Sequence, residues 1–220
     1  ATAETDHALD FDQAVAAQSD APLAARAAPD DIAALFHTGG TTGSPKLAQH
    51  RHRNQLCAAG GAASMYGASS QDVIINGFPL FHVAGSFVYG LSMFLAGATV
   101  VLPTLLGMRN SAFVQRYWDF AEREGATLLA AVPTIMSALL ALPASGADIS
   151  RIRCLLTGGS PLPPDLADAF EQRFRIPVRN ILGMTECGGV IAIEPCALPR
   201  TAGSVGLPIP FVTVQAVNAE

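Results

Sequence analysis

Short apolar runs recur along this chain, each followed by a stretch of helical character, and that alternation limits the folds open to it. The runs span residues 72–76, 98–102, 127–131, 152–156 and 177–182. Each is built on consecutive apolar residues rather than strict alternation, with Arg153, Arg179 and Asn180 interrupting the last two, as expected of strands largely buried on both faces. The helical stretches between them fall near 54–66, 84–96, 110–124, 133–142 and from 163 onward. Strand and helix in strict turn predict an α/β fold, a largely parallel sheet with helices on both faces. The clearest helix is 110–124, with Phe113, Val114, Tyr117, Phe120 and Ala121 on one face. Asn110 is placed to cap it and Gly125 to end it. Pro133 suits the first turn of the next helix. In the helix after Pro163 the expected buried stripe is Leu166, Ala169, Phe170 and Phe174. Residues 211–217 are expected to form a further, half-buried strand.

A different element opens the domain. The apolar run Ile32-Ala33-Ala34-Leu35-Phe36, read as a buried strand, leads into His37-Thr38-Gly39-Gly40-Thr41-Thr42-Gly43-Ser44-Pro45-Lys46. Glycines let backbone N–H groups approach an anion, hydroxyls add donors, and lysine brings a mobile positive charge. The loop suits phosphate, although it lacks the consecutive Gly-Lys-Ser/Thr of the usual P-loop. Asn54 is expected to cap the helix that follows, ending near Tyr66.

Three later segments place polar residues after apolar runs. They are Pro79-Leu80-Phe81-His82-Val83-Ala84-Gly85, Thr157-Gly158-Gly159-Ser160-Pro161 and Leu182-Gly183-Met184-Thr185-Glu186. Together with the glycine-threonine loop, in this order, they resemble the signatures of the acyl-adenylate-forming superfamily. That group includes acyl-CoA synthetases, aryl-CoA ligases, luciferases and peptide-synthetase adenylation domains. The resemblance covers roughly residues 30–217. His52, Arg53 and Asn54 match part of its Thr-His-Arg-Asn segment, and Gly203-Ser204-Val205-Gly206-Leu207-Pro208 matches its Gly-Ser-x-Gly-x-Pro turn.

The resemblance implies the large N-terminal domain of an ATP-dependent ligase. Such an enzyme turns a carboxylic acid and ATP into acyl-AMP and pyrophosphate, then passes the acyl group to a thiol, most often coenzyme A. It also implies roles. Lys46, Thr38, Gly39, Gly40, Thr41, Thr42 and Gly43 would cradle the β- and γ-phosphates. Gly158, Gly159 and Ser160 would wall the adenine, with Gly183 and Met184 beside it. Thr185 would contact the α-phosphate, Glu186 would hold Mg²⁺, and His82 would stand at the wall of the acyl site. Leu182 occupies the place of a family tyrosine that stacks on adenine, so apolar contact remains without ring stacking. Gly39 and Leu47 likewise replace a common serine and glycine.

The family's later Thr-Gly-Asp motif, hinge and lysine-bearing C-terminal domain do not occur up to Glu220. The expectation is therefore an internal fragment, inactive alone, with residues 1–30 as a connector and 31–220 as a partial AMP-binding domain. A noncatalytic nucleotide- or acyl-binding module and an unrelated NTPase are the alternatives.

With 14% charged residues and a net charge of −5, the chain is core-rich and unsuited to nonspecific nucleic-acid binding. Its four cysteines, Cys57, Cys154, Cys187 and Cys196, are far apart in sequence. That spacing argues for reduced thiols in a cytoplasmic protein rather than a zinc site or disulfide framework. His50 and His52 have no evident third metal ligand. Residues 83–103 carry no charge, but glycines and serines interrupt them, so a buried helix and strand are expected there rather than a membrane span. Fatty, aryl and alicyclic acids all remain open as substrates.

Overall fold

A computed structural model describes residues 10–21, 26–38, 46–143 and 146–218. In chain order its elements are α1 (Phe11–Ala16), β1 (Ile32–Thr38), β2 (Lys46–Arg51), α2 (His52–Tyr66), β3 (Val73–Ile75) and a π-helix (Ala84–Leu91) running into α3 (Ser92–Leu95). Then come β4 (Thr99–Val101), α4 (Ser111–Gln115), α5 (Tyr117–Arg123), β5 (Leu128–Ala130), α6 (Pro133–Ala141) and β6 (Cys154–Gly158). The chain closes with α7 (Pro164–Phe174), β7 (Val178–Leu182), a 3-10 turn (Thr185–Cys187), β8 (Ala192–Ile193) and β9 (Leu207–Pro208).

Seven strands form one sheet in the order β4-β3-β5-β6-β7-β8-β9. The pairs from β4 through β7 are parallel, and β8 and β9 close the edge antiparallel. Successive side chains of β5 and β6 feed opposite faces. Leu129 and Leu155 join Tyr117, Trp118, Met136 and Phe170 under α4 to α7. Leu128, Ala130, Cys154 and Leu156 join Tyr66, Val88 and Met93 under α2, the π-helix and α3. The sheet is thus covered on both faces, which is why β3 (Val-Ile-Ile) and β5 (Leu-Leu-Ala) read as unbroken apolar runs.

The amino ends of the strands are tied by one ionic knot. Asp72, just before β3, accepts hydrogen bonds from Thr127 Oγ1 (2.7 Å), Arg153 Nε (2.9 Å) and the Ser69 backbone (2.9 Å). Arg153 also donates to the Tyr66 carbonyl at 2.7 Å. Burial alone would raise the Asp72 pKa, but the Arg153, Thr127 and Ser69 hydrogen bonds prevail and hold it below 3.8. A depressed carboxylate pKa contributes stability that is present above the unfolded value and is lost as pH falls through the native one. Urea midpoints should therefore fall as pH drops below about 4. The Asp72→Asn variant, with no charge to neutralise, should lose this acid-dependent component.

Several elements differ from the sequence reading. β1 is not a buried strand of the main sheet. It pairs antiparallel with β2 in a separate two-stranded unit, with Phe36 buried and Ile32 and Leu35 each more than half exposed. Helix α2 starts at His52, and Asn54 sits inside its first turn, where its side chain accepts from the Arg51 N–H at 3.2 Å. The 84–96 helix is wide-turned over its first part. Asn76 Nδ2 takes the Gly85 carbonyl at 2.9 Å, and a Cβ on Gly85 would lie 2.3 Å from the Pro79 carbonyl oxygen. β4 is a partly exposed edge strand, not a buried one.

The 110–124 helix is split at Arg116, whose φ of −112° and ψ of 20° leave the helical region. Asn110 does cap its first half, accepting from Phe113 N at 3.1 Å. In α7 the inward residue is Ala167, and Ala169 faces solvent. Residues 211–217 form no strand, since they find no ladder among the described residues and most of their side chains are exposed.

Candidate functional site

The chain leaves β3 for the edge strand β4, then returns to the other side of β3 as β5. In an open parallel sheet that reversal leaves a crevice outside the carboxyl ends of the strands, because the connections on either side diverge. A cavity of about 600 Å³ lies there. Its lining comes from residues just past four strand ends. They are Phe78 after β3, Val132 after β5, Gly158 and Gly159 at the end of β6, and Gly183 to Glu186 after β7. Phe81, His82, Val88 and Tyr89 are among the other residues of the wall.

His82, Gly158, Gly159, Gly183, Met184, Thr185 and Glu186, distant in sequence, therefore share one space. Thr38, Lys46, Ser160 and Leu182 are not among its lining residues. Leu182 ends β7 with its side chain substantially exposed. Thr38 and Lys46 face each other across the β1–β2 pair, with Thr38 Oγ1 donating to the Lys46 carbonyl at 3.3 Å. Both strands of that pair pack against the Thr185–Cys187 turn, which brings the hairpin to the rim. Gly39, Gly40, Thr41, Thr42 and Gly43 lie outside the described residues.

The turn carrying Thr185 and Glu186 is rigidly built. Cys187 N and Gly189 N both donate to the Met184 carbonyl (3.1 and 2.9 Å), and Gly188 N donates to that of Thr185 (3.2 Å). Glu186 projects outward from it and has no ion pair or hydrogen bond among the described residues. It also borders a second cavity of about 510 Å³, lined by Gln49, His50, Asn54 and Cys187 among others. An uncompensated carboxylate at the junction of two cavities is available to a cation. No group of three metal-binding side chains occurs among the described residues.

His82 Nδ1 accepts the Ala84 N–H at 3.1 Å, which leaves the Nε2–H form in the neutral ring. Partial burial, and then the charge of His37 at the end of β1, hold its pKa below 6.5. A depressed histidine pKa means that the neutral ring predominates at pH 6.5, where a free imidazole is half charged. The NMR titration midpoint of His82 should accordingly lie under 6.5, and His37→Gln should move it upward. His37, Phe78, Phe81, Tyr89 and Val132 were not singled out as site residues from sequence. Phe78 and Val132 carry one signal, their position directly after an apolar run.

His50 is buried between Phe36 and Phe87, whose rings it meets edge-on at 5.8 and 5.7 Å. It is a packed residue of the hairpin.

The chain belongs to the AMP-binding enzyme family, whose model matches residues 2–220. It is 33% identical over 196 residues to the marinolic acid–CoA ligase of Pseudoalteromonas sp. (strain SANK 73390), covering 86% of this chain and 30% of that protein. It is 34% identical over 181 residues to the sulfoacetate–CoA ligase of Cupriavidus necator, covering 82% of this chain and 34% of that protein. The crystal structure of ATP-bound MatB from Rhodopseudomonas palustris superposes with a TM-score of 0.78 at 27% identity, covering 90% of this chain and 38% of that one. The chain thus spans about a third of the length of the curated relatives it matches.

Proposed function

We propose that this chain forms the nucleotide- and acyl-binding face of an AMP-forming acid–thiol ligase, which joins a carboxylic acid to coenzyme A by way of acyl-AMP. The observation that carries the reading is the cavity at the strand ends, where His82, Gly158, Gly159, Thr185 and Glu186 meet. Its volume of about 600 Å³ lies in the range of sites that enclose a ligand of nucleotide size. The relatives named as CoA ligases support coenzyme A as the acceptor. Because those names span unlike acids, the substrate is assigned only as a small carboxylic acid. Residues 31–220 would belong to one large domain with 1–30 leading into it, and ATP and coenzyme A as co-substrates suit a cytoplasmic setting.

In this reading the glycine turn Gly158-Gly159 offers flat backbone to the adenine. Thr185 donates its hydroxyl to the α-phosphate, and Lys46, on the hairpin at the rim, meets the terminal phosphates. Glu186 fits Mg²⁺, a hard cation that binds through one or two carboxylates together with substrate phosphates. When bound, the ion would neutralise phosphate charge. The attacking carboxylate is ionised near neutral pH, so no general base is needed. The protein's part is then to position the reactants and stabilise charge. His82, neutral and with Nε2–H as donor, shapes the acyl wall next to Phe81 and Val88.

Calorimetric titration of the chain with ATP·Mg²⁺ tests the reading. Saturable binding that a stable acyl-sulfamoyl-adenosine displaces is the expected outcome. Absence of binding by both ligands would count against it.

A further inference from the structure

Cys154 and Cys196 are separated by 42 residues, yet their sulfurs lie 2.6 Å apart. A covalent S–S bond measures about 2.05 Å, so little movement separates this pair from one. Cys154 opens β6 and is fully buried, whereas Cys196 is half-buried in the segment after β8. The other two cysteines, Cys57 and Cys187, are exposed single thiols.

We propose that Cys154 and Cys196 form a dithiol site that a hydroperoxide converts reversibly to a disulfide. The site lies outside the nucleotide cavity, and the inference rests on the two sulfurs alone, independently of the ligase reading. The chemistry is divided between them. The hydrogen bond from Cys154 holds the Cys196 pKa below the ordinary thiol value; burial opposes this, and the charges of Arg153 and Arg179 add to it. The shared hydrogen bond and burial push Cys154 up. Cys196, the less buried and more acidic of the two, is therefore the sulfur that attacks the peroxide, and Cys154 is the resolving thiol. The Cys196 thiolate forms an S–O bond to one peroxide oxygen as the O–O bond breaks, giving a sulfenic acid, and the other oxygen leaves as hydroxide or alkoxide and takes a proton from solvent. Cys154 Sγ then displaces hydroxide from that sulfur, forming the S–S bond. The hydroxide leaves as water with the thiol proton. The peroxide supplies both oxidising equivalents.

The link would join the start of β6 to the segment beyond β8. By closing a loop within the unfolded chain, it should raise the melting temperature.

The test is brief hydrogen peroxide treatment of the purified full chain, alkylation of the remaining thiols, and tryptic mapping without reductant. The expected result is a dithiothreitol-reversible link between peptide 154–173 and peptide 180–200, with fragment ions placing it on Cys196 rather than Cys187. The melting temperature should rise by roughly 5–10 °C and return on reduction. Cys187→Ser should retain the link and Cys196→Ser should lose it. Cys196 recovered unmodified or over-oxidised with no link, or a link mapped to Cys187, would overturn the proposal. The map of the parent chain decides the matter even where a variant fails to fold.

Discussion

Glu186→Gln should weaken ATP·Mg²⁺ binding by about tenfold to a hundredfold, which corresponds to roughly 1.4–2.8 kcal/mol. The substitution keeps the shape and one oxygen of the side chain but removes the charge. A hard dication depends on that charge, and charge-assisted contacts exceed neutral ones by about this amount. Glu186 is exposed and has no ion pair among the described residues, so its loss leaves the fold undisturbed. Two readouts separate a metal role from a structural one. The urea midpoint of the variant should match that of the parent. Affinity for ATP measured in EDTA should change little, or rise slightly because a negative charge has left the phosphate site. Equal affinities with Mg²⁺ present would show that Glu186 does not hold the ion.

Gly183→Ala should destabilise the chain by about 3 kcal/mol or more, through overpacking against backbone. A Cβ at this position would lie 1.9 Å from the Gly189 carbonyl oxygen and 3.0 Å from the Val190 Cα. Gly183 does not adopt a left-handed φ, so the constraint is close approach rather than conformation. The approach is required because the chain leaves β7 at Leu182, makes the Thr185–Cys187 turn, and doubles back into β8 alongside. Backbone cannot yield as a flexible side chain would, so the turn holding Thr185 and Glu186 must shift. Urea unfolding should show a lower midpoint, and ATP·Mg²⁺ affinity should fall in the same variant. A midpoint within error of the parent would contradict the packing described for this turn.

The central sheet was legible because its strands are buried on both faces. Leu128 to Ala130 and Cys154 to Gly158 have no polar face to blur the signal. The site segments were legible for a related reason, since each follows directly on such a run. Other features left no local trace. Residues 32–36 look like a buried strand because Ile32 and Leu35 are apolar, and nothing nearby indicates that they face solvent or pair with 46–51. The break at Arg116 has no glycine or proline to mark it. Residues 211–217 have strand-like composition, but a strand needs a partner, and pairing is not a local property. The nearness of His37 to His82 and of Cys154 to Cys196 follows from topology, which brings residues together across tens of positions.

The cavity at the carboxyl ends of β3, β5, β6 and β7 is the proposed nucleotide site. Hydrogen exchange followed by mass spectrometry, with and without saturating ATP·Mg²⁺, tests this most directly. Slower exchange in residues 157–160 and 182–189, with helix α5 (Tyr117–Arg123) unchanged, is the predicted result. Bound nucleotide with protection elsewhere and none in those two segments would contradict it.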